Sequence, residues 1–181
     1  VYTTIQMYRK DRYDYLINLY KKALIKKFKI GVKLVRGAYI EKELIRSKLL
    51  GYENPIYSTK EETDKSFNKA VNFILKRLEI FSVFLATHNE RSIYNVIKFM
   101  SDNNLSKKKE IYFSQLYGMG DNITFNLSYL NYKVVKYLPY GPIKDVIPYL
   151  IRRAEENTSV SGQTSREMEL IKKEIKRRKL N

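Results

Sequence analysis

Short apolar, β-branched runs alternate along this chain with longer stretches whose apolar positions recur every three or four residues. That is the mark of strands followed by amphipathic helices. Tyr2–Tyr8 reads as the first strand, and Asp11 to about Lys27 as a helix carrying Tyr15, Leu16, Leu19, Ala23 and Leu24 on its apolar positions. Gly31–Val35 is the second strand, closed by Gly37. A helix over about Glu41–Leu50 stops at Gly51, and a loop containing Pro55 leads to a second helix. Thr59 and Glu62 open that second helix as a capping box, and it runs to about Leu78. Phe81–Ala86 is the third strand, followed by a helix near Ser92–Asn103. Glu110–Leu116 is the fourth, ending in the turn Gly118-Met119-Gly120-Asp121, and Tyr132–Leu138 is the fifth. Pro142 sits in the first turn of a helix from about Ile143 to Glu156, where a missing N–H costs little. A last charged helix starts at Gln163, with Thr164 and Glu167 as its box.

Alternation of this kind predicts an α/β fold with a parallel sheet. Two architectures fit it: an open doubly wound sheet, or part of a (βα)8 barrel. A whole barrel needs about 250 residues. Five units in 181 residues therefore predict the C-terminal part of a barrel, about five βα units plus a C-terminal helix, with roughly three units upstream of Val1. On this reading residues 1–181 form one catalytic-barrel fragment.

Composition narrows the chemistry. Cysteine is absent and His88 is the single histidine, which excludes disulfides and Cys/His metal sites, so no metal is expected. Redox chemistry without a thiolate requires an organic cofactor. The net charge of +16 is spread over every segment, with a dense run only at Lys172–Lys179. A nucleic-acid surface would account for it, and so would a coding bias rich in Lys, Ile, Tyr and Asn. The even spread favours the bias, and a basic surface also suits an anionic membrane.

Barrel sites gather at the C-terminal ends of the strands. Polar residues stand at all five: Gln6, Lys33 with Arg36, Thr87-His88-Asn89, Gln115, and Tyr137. Lys33 alternates with Gly31 and Val35 on one face of an otherwise apolar strand. There it needs an anionic or electron-rich partner, unless the strand starts late and leaves it solvated. Arg36-Gly37-Ala38-Tyr39 pairs a guanidinium fork with small residues that let a ligand approach the backbone. Arg152-Arg153 lies in an apolar helical stretch with Glu156 one turn on. Two adjacent forks suit one carboxylate; a solvated Arg/Glu face is the plainer reading.

Several stretches in register resemble the proline dehydrogenase family. They are Lys33-Leu34-Val35-Arg36-Gly37-Ala38-Tyr39, Ala86-Thr87-His88-Asn89-Glu90, Gln115-Leu116-Tyr117-Gly118-Met119-Gly120-Asp121, Lys136-Tyr137-Leu138-Pro139-Tyr140-Gly141-Pro142, and Tyr149-Leu150-Ile151-Arg152-Arg153-Ala154-Glu155-Glu156-Asn157. The resemblance runs from about Gln6 nearly to the C-terminus. It implies a (βα)8 barrel with FAD at the strand ends, oxidising L-proline to Δ1-pyrroline-5-carboxylate by hydride transfer to flavin N5. FAD would contact Gln6, Lys33, Arg36, Gly37, Ala38, Tyr39, Thr87, His88 and Asn89, with Lys33 the catalytic cation near N5. Arg152 and Arg153 would bind the proline carboxylate with Glu156 in support, and Leu116, Tyr137 and Tyr149 would wall the ring. Bacterial members often carry Arg where Lys33 stands, so the charge is kept and the fork lost. Tyr137 matches members that prefer proline over hydroxyproline. The family's first strands, which supply a substrate-pairing Lys and an Asp near the amine, fall upstream of Val1. The resemblance also implies a quinone or membrane electron acceptor and peripheral membrane contact. The expected setting is the cytoplasm or inner membrane of a bacterium, or the mitochondrion of a eukaryote. The ending Lys-Arg-Arg-Lys-Leu-Asn predicts a monofunctional enzyme. A nucleic-acid module, a 4-hydroxyproline oxidase and an inactive barrel remnant are the competing expectations.

Overall fold

The computed structural model describes residues 1–105, 110–159 and 163–178, leaving out the side chains of 153–167. The strands are β1 (Tyr2–Gln6), β2 (Ile30–Val35), β3 (Phe81–Ala86), β4 (Ile111–Leu116) and β5 (Val134–Tyr137). The helices are α1 (Arg12–Lys26), α2 (Ile40–Leu50), α3 (Lys60–Leu75), α4 (Glu90–Asp102), α5 (Asp121–Tyr129), α6 (Ile143–Ser159) and α7 (Gln163–Arg178). The chain divides into two compact units, Val1–Tyr137 and Leu138–Asn181.

In the first unit the five strands lie side by side in chain order, every pair parallel. A doubly wound sheet reverses its strand order at a switch point. Sequential order with the crossovers on one face is instead an arc of a barrel. The register places Ile5, Leu34 and Leu85 in one row, continued by Phe113, and these side chains are all but sealed from water. They pack with Leu16 and Ala23 of α1, Phe67, Ala70 and Ile74 of α3, and Val96 and Met100 of α4 into one core.

The opposite face, shifted by one residue, carries Thr4, Lys33, Phe84 and Tyr112 in a row. Phe84 and Tyr112 stack at 4.6 Å, and Tyr2 meets Phe84 edge-on at 4.5 Å. Tyr2 therefore reaches across β2, and it does so over Gly31. A Cβ at Gly31 would stand 3.0 Å from the Tyr2 ring.

Local signals behave as the sequence predicts where the cause is local. Thr59 and Glu62 form the capping box of α3, and Gly51 ends α2 in the left-handed region at φ +66. β2 starts at Ile30, so Lys33 lies mid-strand and the late-start alternative fails.

Three elements differ. The strand β1 ends at Gln6, not Tyr8: Met7 and Tyr8 still donate to the Val35 and Arg36 carbonyls, but the Tyr8 carbonyl accepts from the N–H of Tyr57 and Arg9 bridges Ile56 antiparallel. The helix α5 follows the glycine turn at once, where no helix is predicted; Thr124 and Leu127 are its buried positions, too few to give nine residues a periodic face. In the second unit α6 continues through Pro148, six residues in, and Pro142 precedes the helix, its carbonyl accepting from Asp145 and Val146. The predicted Thr164–Glu167 box lies outside the described side chains.

Candidate functional site

In the middle of β2, Lys33 is partly buried and its Nζ lies 4.5 Å from the centroid of the Tyr137 ring on β5. Two strands separate these residues in the sheet, so their side chains span it on the exposed face. Burial holds the pKa of Lys33 below the ordinary lysine value. The π-face of Tyr137 compensates part of that desolvation. Leu116 and Tyr137 are register partners, so the two predicted wall residues stand side by side at the strand ends.

Arg36, three residues on, is committed differently. Its Nε donates to Asp64 Oδ1 at 2.5 Å, Nη1 to Thr87 Oγ1 at 2.7 Å, and Nη2 to Ser92 Oγ at 2.9 Å. The guanidinium also lies 4.3 Å above the Phe67 ring. One side chain thus ties the tip of β2 to β3, α3 and α4. Of its five N–H groups three are used here, leaving two for a ligand. Thr87 Oγ1 accepts from Arg36 and from the N–H of Asn89 at 3.1 Å, so what remains to it is its own O–H. Asn89 caps α4 by accepting from the N–H of Ser92 at 2.9 Å, and Ser92 Oγ donates to Asn68 at 3.0 Å.

The other predicted cofactor residues fall around this network. Gln6 ends β1 beside Val35, Ala38 is partly buried, and Tyr39 precedes α2 as its N-cap residue. Gly37 has φ +133, and a Cβ there would stand 2.1 Å from Cδ1 of Tyr8. The missing side chain therefore makes room for the buried Tyr8 ring, a reason not visible in the Arg-Gly-Ala spacing. His88 rests on the glycine turn: a Cβ at Gly120, itself at φ +61, would lie 2.9 Å from its Nδ1.

Gln115, predicted as a polar strand end, and Lys136, to which the sequence assigns no role, hold that turn. Gln115 is 1% exposed and points to the helix side of β4, not to the site face. Its Nε2 donates to the Thr87 carbonyl at 3.4 Å, and its Oε1 accepts from Thr124 at 3.1 Å. Lys136 donates to Asp121 at 2.6 Å and to the Met119 carbonyl at 2.7 Å. Gln115→Leu leaves the Thr87 carbonyl and the Thr124 hydroxyl without this partner, so we expect a loss of about 1–3 kcal/mol in denaturant unfolding. An unchanged unfolding midpoint would rule the strut out.

In the second unit Tyr149 and Arg152 are partly buried on α6, and the Arg152 Nε is sealed from water. Arg153 and Glu156 lie outside the described side chains. Among the described residues no group of carboxylates and imidazole could hold a metal, and no helix is long and apolar enough to cross a membrane.

Fold and site together define a parallel βα-barrel protein with a cationic, donor-lined site at the carboxyl ends of its strands. The profile of the proline dehydrogenase family matches residues 1–166, and the chain belongs to that family. The carbapenem antibiotics biosynthesis protein CarD of Pectobacterium carotovorum is 42% identical over 97% of this chain and 44% of its own length. The mitochondrial proline dehydrogenase 1 of Homo sapiens is 38% identical over 98% of this chain and 30% of its own. The crystal structure of proline utilization A from Bdellovibrio bacteriovorus, inactivated by N-propargylglycine, superposes with a TM-score of 0.82 at 28% identity. It covers 88% of this chain and 17% of that one. The chain thus spans less than half the length of these curated relatives.

Proposed function

We propose that this chain is the C-terminal part of the catalytic barrel of a proline dehydrogenase, completed by about three βα units ahead of Val1. The reaction is the FAD-dependent oxidation of L-proline to Δ1-pyrroline-5-carboxylate. The observation that carries this reading is Lys33: a partly desolvated ammonium in the middle of a parallel strand, held over an aromatic ring at the sheet's C-terminal edge. The surrounding donor set fits FAD, whose isoalloxazine edge and pyrophosphate are rich in acceptors. Lys33, the O–H of Thr87 and the two remaining N–H groups of Arg36 all donate, and Gln6, Gly37, Ala38, Tyr39, His88 and Asn89 line the same strand ends. When bound, FAD supplies the acceptor for the hydride leaving C5 of proline, while the amine lone pair closes the C=N bond and the N–H proton passes to solvent.

Lys33 stabilises negative charge developing opposite it. The family resemblance assigns Arg152 and Arg153 to the proline carboxylate, with Glu156 in support. The same resemblance assigns Leu116, Tyr137 and Tyr149 to the substrate ring, and Tyr137 to the preference for proline over 4-hydroxyproline. Electrons leave to a quinone through peripheral contact with a membrane, the bacterial inner membrane or its mitochondrial counterpart.

The test is a visible absorption spectrum of the full-length protein, in which a flavin band should bleach on adding proline. A band that proline leaves intact, or no band, would overturn the reading. Lys33→Met should slow bleaching by about 10²–10³-fold. The same variant should raise the melting temperature of the flavin-free chain at pH 7. With its folded pKa depressed, Lys33 makes the folded chain bind fewer protons than the unfolded one between the two pKa values. Its contribution therefore improves as pH rises through that window, and below it the buried charge costs stability. The gain should stay within about 2–4 °C, the shift that about 1 kcal/mol produces at this size.

A further inference from the structure

The family match ends at residue 166, within the first turn of α7, and the helix runs on through Arg178. Its described apolar residues are four, Met168, Leu170, Ile171 and Ile175, and Leu170 falls on the side opposite the other three. At 3.6 residues per turn Met168, Ile171 and Ile175 fall on a single stripe. They are 51%, 54% and 44% exposed. The same geometry sets Lys172 and Lys176 along one border of that stripe and Arg178 along the other. Among the described side chains of the helix there are five cations, Lys172, Lys173, Lys176, Arg177 and Arg178, against Glu169 and Glu174. Glu174 pairs with both Arg177, at 2.7 Å, and Arg178, at 2.8 Å, in exposed ion pairs that a phosphate can replace.

We propose that α7 is an interfacial helix that docks on an anionic lipid surface. It deepens the peripheral membrane contact proposed above and names the element that makes it. A narrow aliphatic stripe bordered on both sides by long cationic side chains matches a bilayer interface. The stripe enters the acyl boundary while the Lys and Arg stems lie along it and their heads reach the phosphates. The chain's net charge of +16 adds attraction at longer range. A nucleic acid would satisfy the cations but has no use for the stripe, and α7 carries no aromatic residue on which a base could stack.

The experiment is sedimentation of the full-length protein with vesicles of phosphatidylcholine containing phosphatidylglycerol, against phosphatidylcholine alone. Binding should require the anionic lipid. Lys172→Gln with Lys176→Gln and Arg178→Gln should weaken it by about a hundredfold, some fivefold per cation near the surface. Ile171→Ser with Ile175→Ser leaves the charge untouched and should still weaken it by at least about tenfold. Removing three exposed cations elsewhere, by Lys21→Gln, Lys22→Gln and Lys26→Gln on α1, should change it less than about fivefold. Far-UV circular dichroism checks that each variant keeps its fold. The proposal is overturned if the α1 variant loses as much as the α7 variant, if the isoleucine variant binds like the parent, or if single-stranded RNA binds more tightly than the vesicles through these same α7 lysines. No arm uses flavin or proline, so the outcome stands apart from the oxidoreductase reading.

Discussion

Arg152→Met in the full-length enzyme is expected to raise the KM for proline by about a hundredfold while FAD remains bound. The size follows from losing one fork to a carboxylate, an interaction worth about 2–4 kcal/mol when desolvated. The substitution keeps an unbranched apolar stem and removes the guanidinium head, so the loss is mainly electrostatic. Because the carboxylate is present in substrate and transition state alike, the change should fall mainly on KM and not on kcat. Steady-state kinetics with the flavin spectrum as a check on cofactor content measure both. A KM within threefold of the parent, roughly 0.6 kcal/mol by the same conversion, would remove Arg152 from the carboxylate role.

Gly37→Ala should be the most damaging small substitution in the first unit. The new Cβ would arrive 2.1 Å from Cδ1 and 2.5 Å from Cγ and Cε1 of Tyr8. The ring has little room to withdraw, being 3% exposed. The backbone there, at φ +133, is also one that side chains rarely adopt. Overpacking of a buried ring together with backbone strain costs about 3 kcal/mol or more. Thermal unfolding should shift down by about 6–12 °C. Tyr8→Leu alone opens a cavity, yet in the double variant it should recover part of the loss, since the two changes share one space. If Gly37→Ala unfolds like the parent, Tyr8 is not what the glycine accommodates. The consequence for function is that Gly37 serves the tip of β2 twice, by admitting Tyr8 behind it and by keeping the Arg36-Gly37-Ala38 backbone open to the proposed cofactor.

The ladder of strands and most of the helices were legible from the chain because their causes are local. The capping box at Thr59 and Glu62, the left-handed stop at Gly51 and the bounds of Phe81–Ala86 each depend on residues within a few positions of one another. The placing of Lys33 on the exposed face followed from alternation alone. Family membership was likewise carried by contiguous stretches of sequence. What stayed hidden joins residues far apart. Asp64 of α3 and Ser92 of α4 hold Arg36, with Asn68 of α3 behind Ser92, and no spacing rule links positions 24 to 56 residues apart. Gln115 looked like one more polar strand end, and only packing turns it toward Thr124 and away from the site. The strand order, which separates a barrel arc from a doubly wound sheet, is a property of pairing across the whole unit. Periodicity can say which face of an element is apolar, but partners for a buried guanidinium or a tyrosine ring are chosen by the chain's path through space. For this protein the sequence determined the elements, the cationic residue at the second strand and the family. The tertiary structure decided which side chains are bound to one another and which glycine admits which ring.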